Sequence, residues 1–249
     1  MIFDNYPKIR TELSADFQKI YAGHYKKNRE GDTAASSLSQ RMEAWMHKKV
    51  AADLNNNGQK STLEIGAGTL NQLKYENTQP YDIVEPFIQL FEQSPFKERI
   101  RNIYNDISEI EKGNLYDRIT SIATFEHITD LPKVVAMSCL LLNSNGTLRV
   151  SIPNEGTILW KLGYTLTTGI EFKLKYGLDY NTLMKHEHVN TADEIEKVLA
   201  YFYKKTTCSF LGIHKQLAFY RFYECSEPDT VLAKEYLESL LSHLTETVN

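Results

Sequence analysis

The apolar positions of the chain change period near residue 60. Before it, Leu38, Met42, Trp45, Met46, Val50 and Leu54 recur at three- and four-residue steps. That spacing draws one apolar face along an amphipathic helix. Ser37-x-x-Gln40 has the form of a capping box at its start, and 55–58, Asn-Asn-Asn-Gly, ends it. Residues 1–57 read as a helical extension or lid. After residue 60 short apolar runs alternate with helical ones. Thr62–Ile65, Tyr81–Val84, 101–105, 118–124 and 147–152 read as strands, with helical spacing at 88–96 and 131–142 and a turn at 143–146. The run 118–124 is nearly continuous in apolar and β-favouring residues, as buried parallel strands are.

From residue 154 to 187 the alternation stops, and the segment carries Trp160, Tyr164, Phe172, Tyr176 and Tyr180. Residues 191–203 are again helical. Two long strands with a short connection follow, 206–213 and 216–225, an antiparallel pair. Residues 228–247 form a last helix. The expected organisation is a lid (1–57), a βα core (58–153), a cap (154–187) and a closing helix, hairpin and helix (188–249) that complete the core domain.

Composition adds limits. Hydrophobic residues are 42% and charged residues 24% of the 249, ordinary for a globular chain. A net charge of −4 gives no basic field to attract nucleic acid. Cys139, Cys208 and Cys225 have no metal or disulfide spacing and read as reduced thiols. The N-terminus lacks the pattern of a signal peptide, and no apolar run approaches the ~20 residues that span a bilayer. A cytoplasmic protein is expected.

The chemistry lies at the strand ends. Glu64-x-Gly66-x-Gly68 closes the first strand, and the glycines let the backbone turn sharply and approach a ligand with no Cβ in the way. A dinucleotide site would want a third glycine after Gly68; position 70 is Leu and 71 is Asn. Glu85, followed by Pro86, ends the second strand and can accept two hydroxyls at once. Asp106 and Ile107 follow the third; Asp106 is also placed to cap a helix. Thr124-Phe125-Glu126-His127-Ile128 ends the fourth.

These four signals, in this order, resemble the class I S-adenosylmethionine-dependent methyltransferases. The resemblance covers roughly residues 60–225. It implies a three-layer α/β/α sandwich around a mostly parallel seven-stranded sheet with an antiparallel terminal hairpin. It further implies that Gly66, Ala67 and Gly68 pass under the methionine and ribose of S-adenosylmethionine. Glu64 would orient the donor's amino group, Glu85 beside Pro86 the ribose, and Asp106 with Ile107 the adenine. The backbone at Thr124 and Phe125 would face the methionine end. Tyr25 and Arg29, before the first strand, would line a lid over the donor.

His127 and His188 are the candidate general bases for a hydroxyl acceptor. Glu126, His127, His186 and His188 could supply N and O ligands to a metal, but His186-Glu187-His188 is not a standard zinc spacing. In a strand-like stretch those two imidazoles would share a face with no third ligand near, and no metal is expected. The aromatic cap suits a sugar, a phenol or a similar acceptor. No N-P-P-Y motif of amide and nucleobase methylases is present. The expected activity is methyl transfer from S-adenosylmethionine, with S-adenosylhomocysteine as product, to O or N of a small molecule. Neither nucleic acid nor membrane is an expected partner, and a homodimer is allowed. The alternatives are a nicotinamide-dependent oxidoreductase and an inactive binding module of the same fold.

Overall fold

A computed structural model describes residues 3–18, 20, 37–54, 59–165 and 169–246, with backbone alone for 37–39 and 243–246. Seven strands form one sheet: β1 (Thr62–Ile65), β2 (Tyr81–Val84), β3 (Asn102–Tyr104), β4 (Tyr116–Ile122), β5 (Leu142–Pro153), β6 (Tyr203–Gly212) and β7 (Ala218–Pro228). Their order is β3-β2-β1-β4-β5-β7-β6. The first five run parallel; β7 lies antiparallel between β5 and β6. The order reverses at β1, which pairs with β2 on one side and β4 on the other. The carboxyl ends of β1, β2 and β4 therefore open a crevice, the usual ligand position of such sheets.

Among the described residues, seven helices with defined bounds accompany the sheet: α1 (Ser37–Ala51), α2 (Leu131–Leu140), α3 (Ile158–Tyr164), α4 (Ile170–Tyr176), α5 (Tyr180–Glu187), α6 (Ala192–Phe202) and α7 (Thr230–Glu246). On one face Leu63, Ile65, Ile119, Leu148 and Val150 bury against α2, α6 and α7 in the main core. On the other, Met46 and Val50 of α1 pack on Ile122 and Phe222. The stripe read on this helix is thus core; Leu38 lies outside the described side chains. Thr191 caps α6 with a complete capping box to Glu194.

α1 is held at its C-terminal end by two buried arginines from the strands. Arg118 and Arg149 both donate to the Val50 carbonyl, at 2.9 and 2.8 Å, and Arg118 Nη1 pairs with Glu76 Oε1 at 3.0 Å. They satisfy carbonyls that the helix leaves unpaired and sit where its dipole is negative.

Three local expectations change. Residues 88–96 do not form an α-helix; they make a single 3-10 turn, Ile88–Leu90, and a second follows at Lys97–Arg99. Pro95 disfavours the helical region for Ser94 and cuts the run short. The turn expected at 143–146 is part of β5, where Asn143 Nδ2 donates to Asp117 Oδ1 across a register shift between Tyr116 and Arg118. In the N-terminal segment, 3–14 is extended chain and turns, with helical backbone at 15–18.

Candidate active site

The glycine loop has the geometry its sequence suggests. Gly66 and Gly68 both have left-handed backbone, φ +72° and +52°, a region costly for residues with a Cβ. Their surroundings differ. A Cβ on Gly66 would lie 2.3 Å from Thr124 Cγ2 and 2.4 Å from its Oγ1, whereas one on Gly68 would meet no described atom within 4 Å. Gly66 is glycine because the end of β4 packs against it. Gly68 presents bare backbone to open space, the kind of cradle an extended ligand can enter. Leu70 stands where a third glycine would be, and keeps a glycine-like φ of +63° while fully buried. Ala67 is buried beside it in the cluster of Leu70, Leu73 and Tyr81.

Three carboxylates follow from the strand ends. Glu85 Oε2 accepts from the Gly68 amide at 2.9 Å and Oε1 from Phe87 at 3.1 Å, and the residue is 2% exposed. Two of its four lone-pair positions are taken, leaving two for a diol. Beside it Pro86 is exposed and Phe87 is 41% exposed, an apolar ledge at the end of β2. Asp106 is exposed and caps the turn after β3, accepting from the Ser108 amide at 2.9 Å. Burial would raise its pKa, but the bonds from Ser108 hold it below the ordinary value. Ile107 points into the main core. Glu64 is 2% exposed and accepts from the Tyr81 hydroxyl at 2.8 Å. Burial pushes its carboxyl up to about 8, so it is largely neutral at pH 7.

The end of β4 forms the other wall. Thr124 precedes a 3-10 turn, Phe125–His127, and its hydroxyl donates to the carbonyls of Ile122 and Gly66 at 3.1 and 3.3 Å. Phe125 fills the main core, so only its backbone can face a ligand. His127 Nδ1 lies 3.0 Å from the Glu187 carbonyl and 3.3 Å from its carboxylate. Both are acceptors, so Nδ1 carries the proton. The remaining nitrogen, Nε2, stands 3.8 Å from Glu126 Oε1. Burial opposes charge on His127, but the Glu187 hydrogen bond and the charges of Glu126 and Glu187 outweigh it and raise its pKa.

His188 reaches the same place from the cap. Its ring centroid is 4.8 Å from that of His127, nearly edge-on. Its Nδ1 lies 2.6 Å from Glu155 Oε2, which also accepts from Trp160 Nε1 at 2.7 Å. Burial alone would raise the Glu155 pKa, but His188 holds it low. The strand-like reading of 186–188 is overturned: α5 runs to Glu187. His186 Nδ1 bonds the Thr11 carbonyl at 2.6 Å, while His188 faces His127.

Several participants carry no signal in the sequence. Arg10 donates to the carbonyls of His127, His186 and Glu187 at 2.7, 2.8 and 3.0 Å, clamping the two histidine-bearing segments together. Asn190 ties the same segments by donating to Phe125 and Ile128. Tyr220 of β7 packs on Trp160 at 5.6 Å. Phe172 and Tyr176 pack with Leu13, Phe17 and Leu183 in a small core of the cap. Tyr25 and Arg29 lie outside the described residues. No helix among the described residues is long and apolar enough to cross a membrane.

Known proteins share this fold. Residues 37–201 match the profile of a family described as "Methyltransferase domain". No curated protein sequence matches the chain. Among solved structures, it is similar to a Thermotoga maritima S-adenosylmethionine-dependent methyltransferase described as a possible histamine N-methyltransferase. The two share 14% identity over 86% of this chain and 100% of that one, TM-score 0.55. It is also similar to the plantazolicin methyltransferase BpumL in complex with S-adenosylhomocysteine, with 12% identity over 86% and 91% of the chains, TM-score 0.55. A third neighbour is the CurJ carbon methyltransferase, 17% identical over 87% of this chain and 62% of that one, TM-score 0.54. At these identities the neighbours speak for the fold, and the profile, spanning well over half of the chain, speaks for the family. The chain belongs to the methyltransferase-domain family and is a class I S-adenosylmethionine-dependent methyltransferase.

Proposed function

We propose that the chain methylates an oxygen or nitrogen atom of a small molecule, a sugar, a phenol or a comparable metabolite. The observation that carries the reading is the His127–His188 pair at the end of β4, under the aromatic cap. S-adenosylmethionine supplies an activated methyl group, so the protein's task is alignment more than activation. Gly66, Ala67 and Gly68 form the bed for the donor. Glu85 offers its two remaining lone-pair positions to the ribose, and the ledge of Pro86 and Phe87 with Asp106 forms the adenine end; the Ile107 side chain, buried in the main core, leaves only its backbone for that role. Glu64, Thr124 and the Phe125 backbone border the methionine end.

On the far side, His127 and His188 receive the acceptor atom and its proton. Each has its Nδ1 hydrogen committed to a carboxylate, Glu187 or Glu155, which leaves Nε2 as the acceptor nitrogen. Trp160 and Tyr220 give the acceptor flat apolar surface. The neighbour described as a possible histamine N-methyltransferase is consistent with a small-molecule acceptor.

Titration with S-adenosylhomocysteine, followed by an acceptor screen with radiolabelled donor, tests the reading. Label passing to a small hydroxyl or amine compound supports it. A chain that binds S-adenosylhomocysteine yet labels only protein or nucleic acid refutes the small-molecule part.

A further inference from the structure

We propose that Glu126, His127 and His188 form a site for one divalent transition-metal ion of the zinc class. The proposal rests on the reading above that this cluster is the acceptor end of a methyltransferase. One donor atom from each of the three residues lies within 4.8 Å of the other two. Donors about 2.1 Å from an ion at tetrahedral angles lie about 3.4 Å apart. Glu126 Oε1 and His127 Nε2 are already 3.8 Å apart, so a modest torsional adjustment of Glu126 and His188 closes the set.

Two independent features point to an ion. The first is Glu126. It is 1% exposed, and its Oε2 has no hydrogen-bond partner among the described residues. A buried carboxylate left in this way is costly unless a cation or donor meets it. Its backbone carbonyl is fully used, accepting from the amides of Val189 and Asn190 at 2.8 and 3.1 Å, which fixes where the side chain starts. The second is the arrangement behind the imidazoles. His127 Nδ1 is held by Glu187 and His188 Nδ1 by Glu155, itself tied to Trp160. Metal-bound histidines are held by this kind of carboxylate behind the ring, which fixes the tautomer and turns the other nitrogen to the ion.

Two imidazoles and one carboxylate suit zinc or a related transition ion better than magnesium, which prefers oxygen ligands. Three protein ligands leave a coordination position open. In the loaded enzyme that position takes the acceptor's oxygen. A hydroxyl bound there loses its proton to solvent at a lowered pKa, and the histidines then act as ligands.

The test is titration of the full chain, stripped with chelator and dialysed, with Co2+ followed by its visible absorption and with Zn2+ followed by calorimetry. S-adenosylhomocysteine affinity is measured in parallel. One ion per chain is expected, with Glu126→Gln and His188→Ala each weakening it at least hundredfold, His186→Ala leaving it unchanged, and all three still binding S-adenosylhomocysteine. Millimolar Mg2+ should not displace Co2+. A wild-type chain that binds S-adenosylhomocysteine but takes up neither ion overturns the metal site and leaves the pair as proton acceptors. Ion binding that Glu126→Gln and His188→Ala do not weaken also overturns it. Failure to bind S-adenosylhomocysteine would instead count against the donor site, whatever the ion does.

Discussion

Replacing Gly66 and Gly68 by alanine, one at a time, separates two reasons for a glycine. At Gly66 the new Cβ falls 2.3, 2.4 and 2.8 Å from three side-chain atoms of Thr124. Overpacking of this kind costs about 1–3 kcal/mol, and holding alanine at a left-handed φ costs about 1–2 kcal/mol. Gly66→Ala should therefore lose about 2–5 kcal/mol. At about 2–4 °C per kcal/mol for a chain of this size, its Tm should fall by about 4–20 °C. Gly68→Ala meets no described atom within 4 Å, so only the backbone cost of about 1–2 kcal/mol applies. Its fold should survive. Its methyl group enters the space assigned to the donor, and S-adenosylhomocysteine affinity should fall at least tenfold. Thermal unfolding by circular dichroism gives the stabilities, and calorimetry gives the affinities. Adding Thr124→Ala to Gly66→Ala removes two of the three clashes, and the pair should recover part of the loss as a favourable coupling of about 0.5–3 kcal/mol. The reasoning is refuted if Gly68→Ala is the less stable variant, or if the cycle shows no coupling between Gly66 and Thr124.

His127→Ala and His188→Ala should each cut turnover at least a hundredfold while S-adenosylhomocysteine affinity stays within a few-fold. Near-normal turnover with the true acceptor would remove both from the reacting end. Glu64→Gln should alter stability in a pH-dependent way. In the folded chain the carboxyl holds its proton up to about 8, against an ordinary value of 4.5, so the wild type loses stability as pH rises between those values. The variant should gain on the wild type across that window and no further above it. Equal Tm differences at pH 5 and pH 8 would contradict this. Arg118→Met should cost about 3–5 kcal/mol by stranding the buried Glu76, and adding Glu76→Leu should recover much of it. A single variant as stable as the wild type would show that the pair does not hold α1 in place.

The buried strands β1, β2, β4 and β5 were legible because their burial writes itself into the sequence as apolar runs, and Glu64, Glu85 and Thr124 mark the ends of the first, second and fourth. What was not legible depends on distant partners. The helix expected at 88–96 fails on Pro95, but the turn at 143–146 is drawn into β5 by Asp117, 26 positions away from Asn143. Leu70 breaks the glycine pattern in sequence and keeps the left-handed backbone in space, because its side chain fills the cluster beside β1. At the site, His127 could be read from its place after the fourth strand. Arg10 could not, since its three acceptors lie 117 to 177 residues away. Glu155 likewise becomes meaningful only once α5 delivers His188 to it.

The central claim is that the carboxyl ends of β1 and β2 bind the methyl donor, with Glu85 at its ribose. Calorimetric titration with S-adenosylhomocysteine of the wild type and of Glu85→Ala tests it most directly. The account predicts one site per chain in the wild type and a loss of about 1.5–3 kcal/mol in the variant, the usual worth of hydrogen bonds to a charged acceptor. A folded Glu85→Ala chain that binds S-adenosylhomocysteine as tightly as the wild type would contradict it.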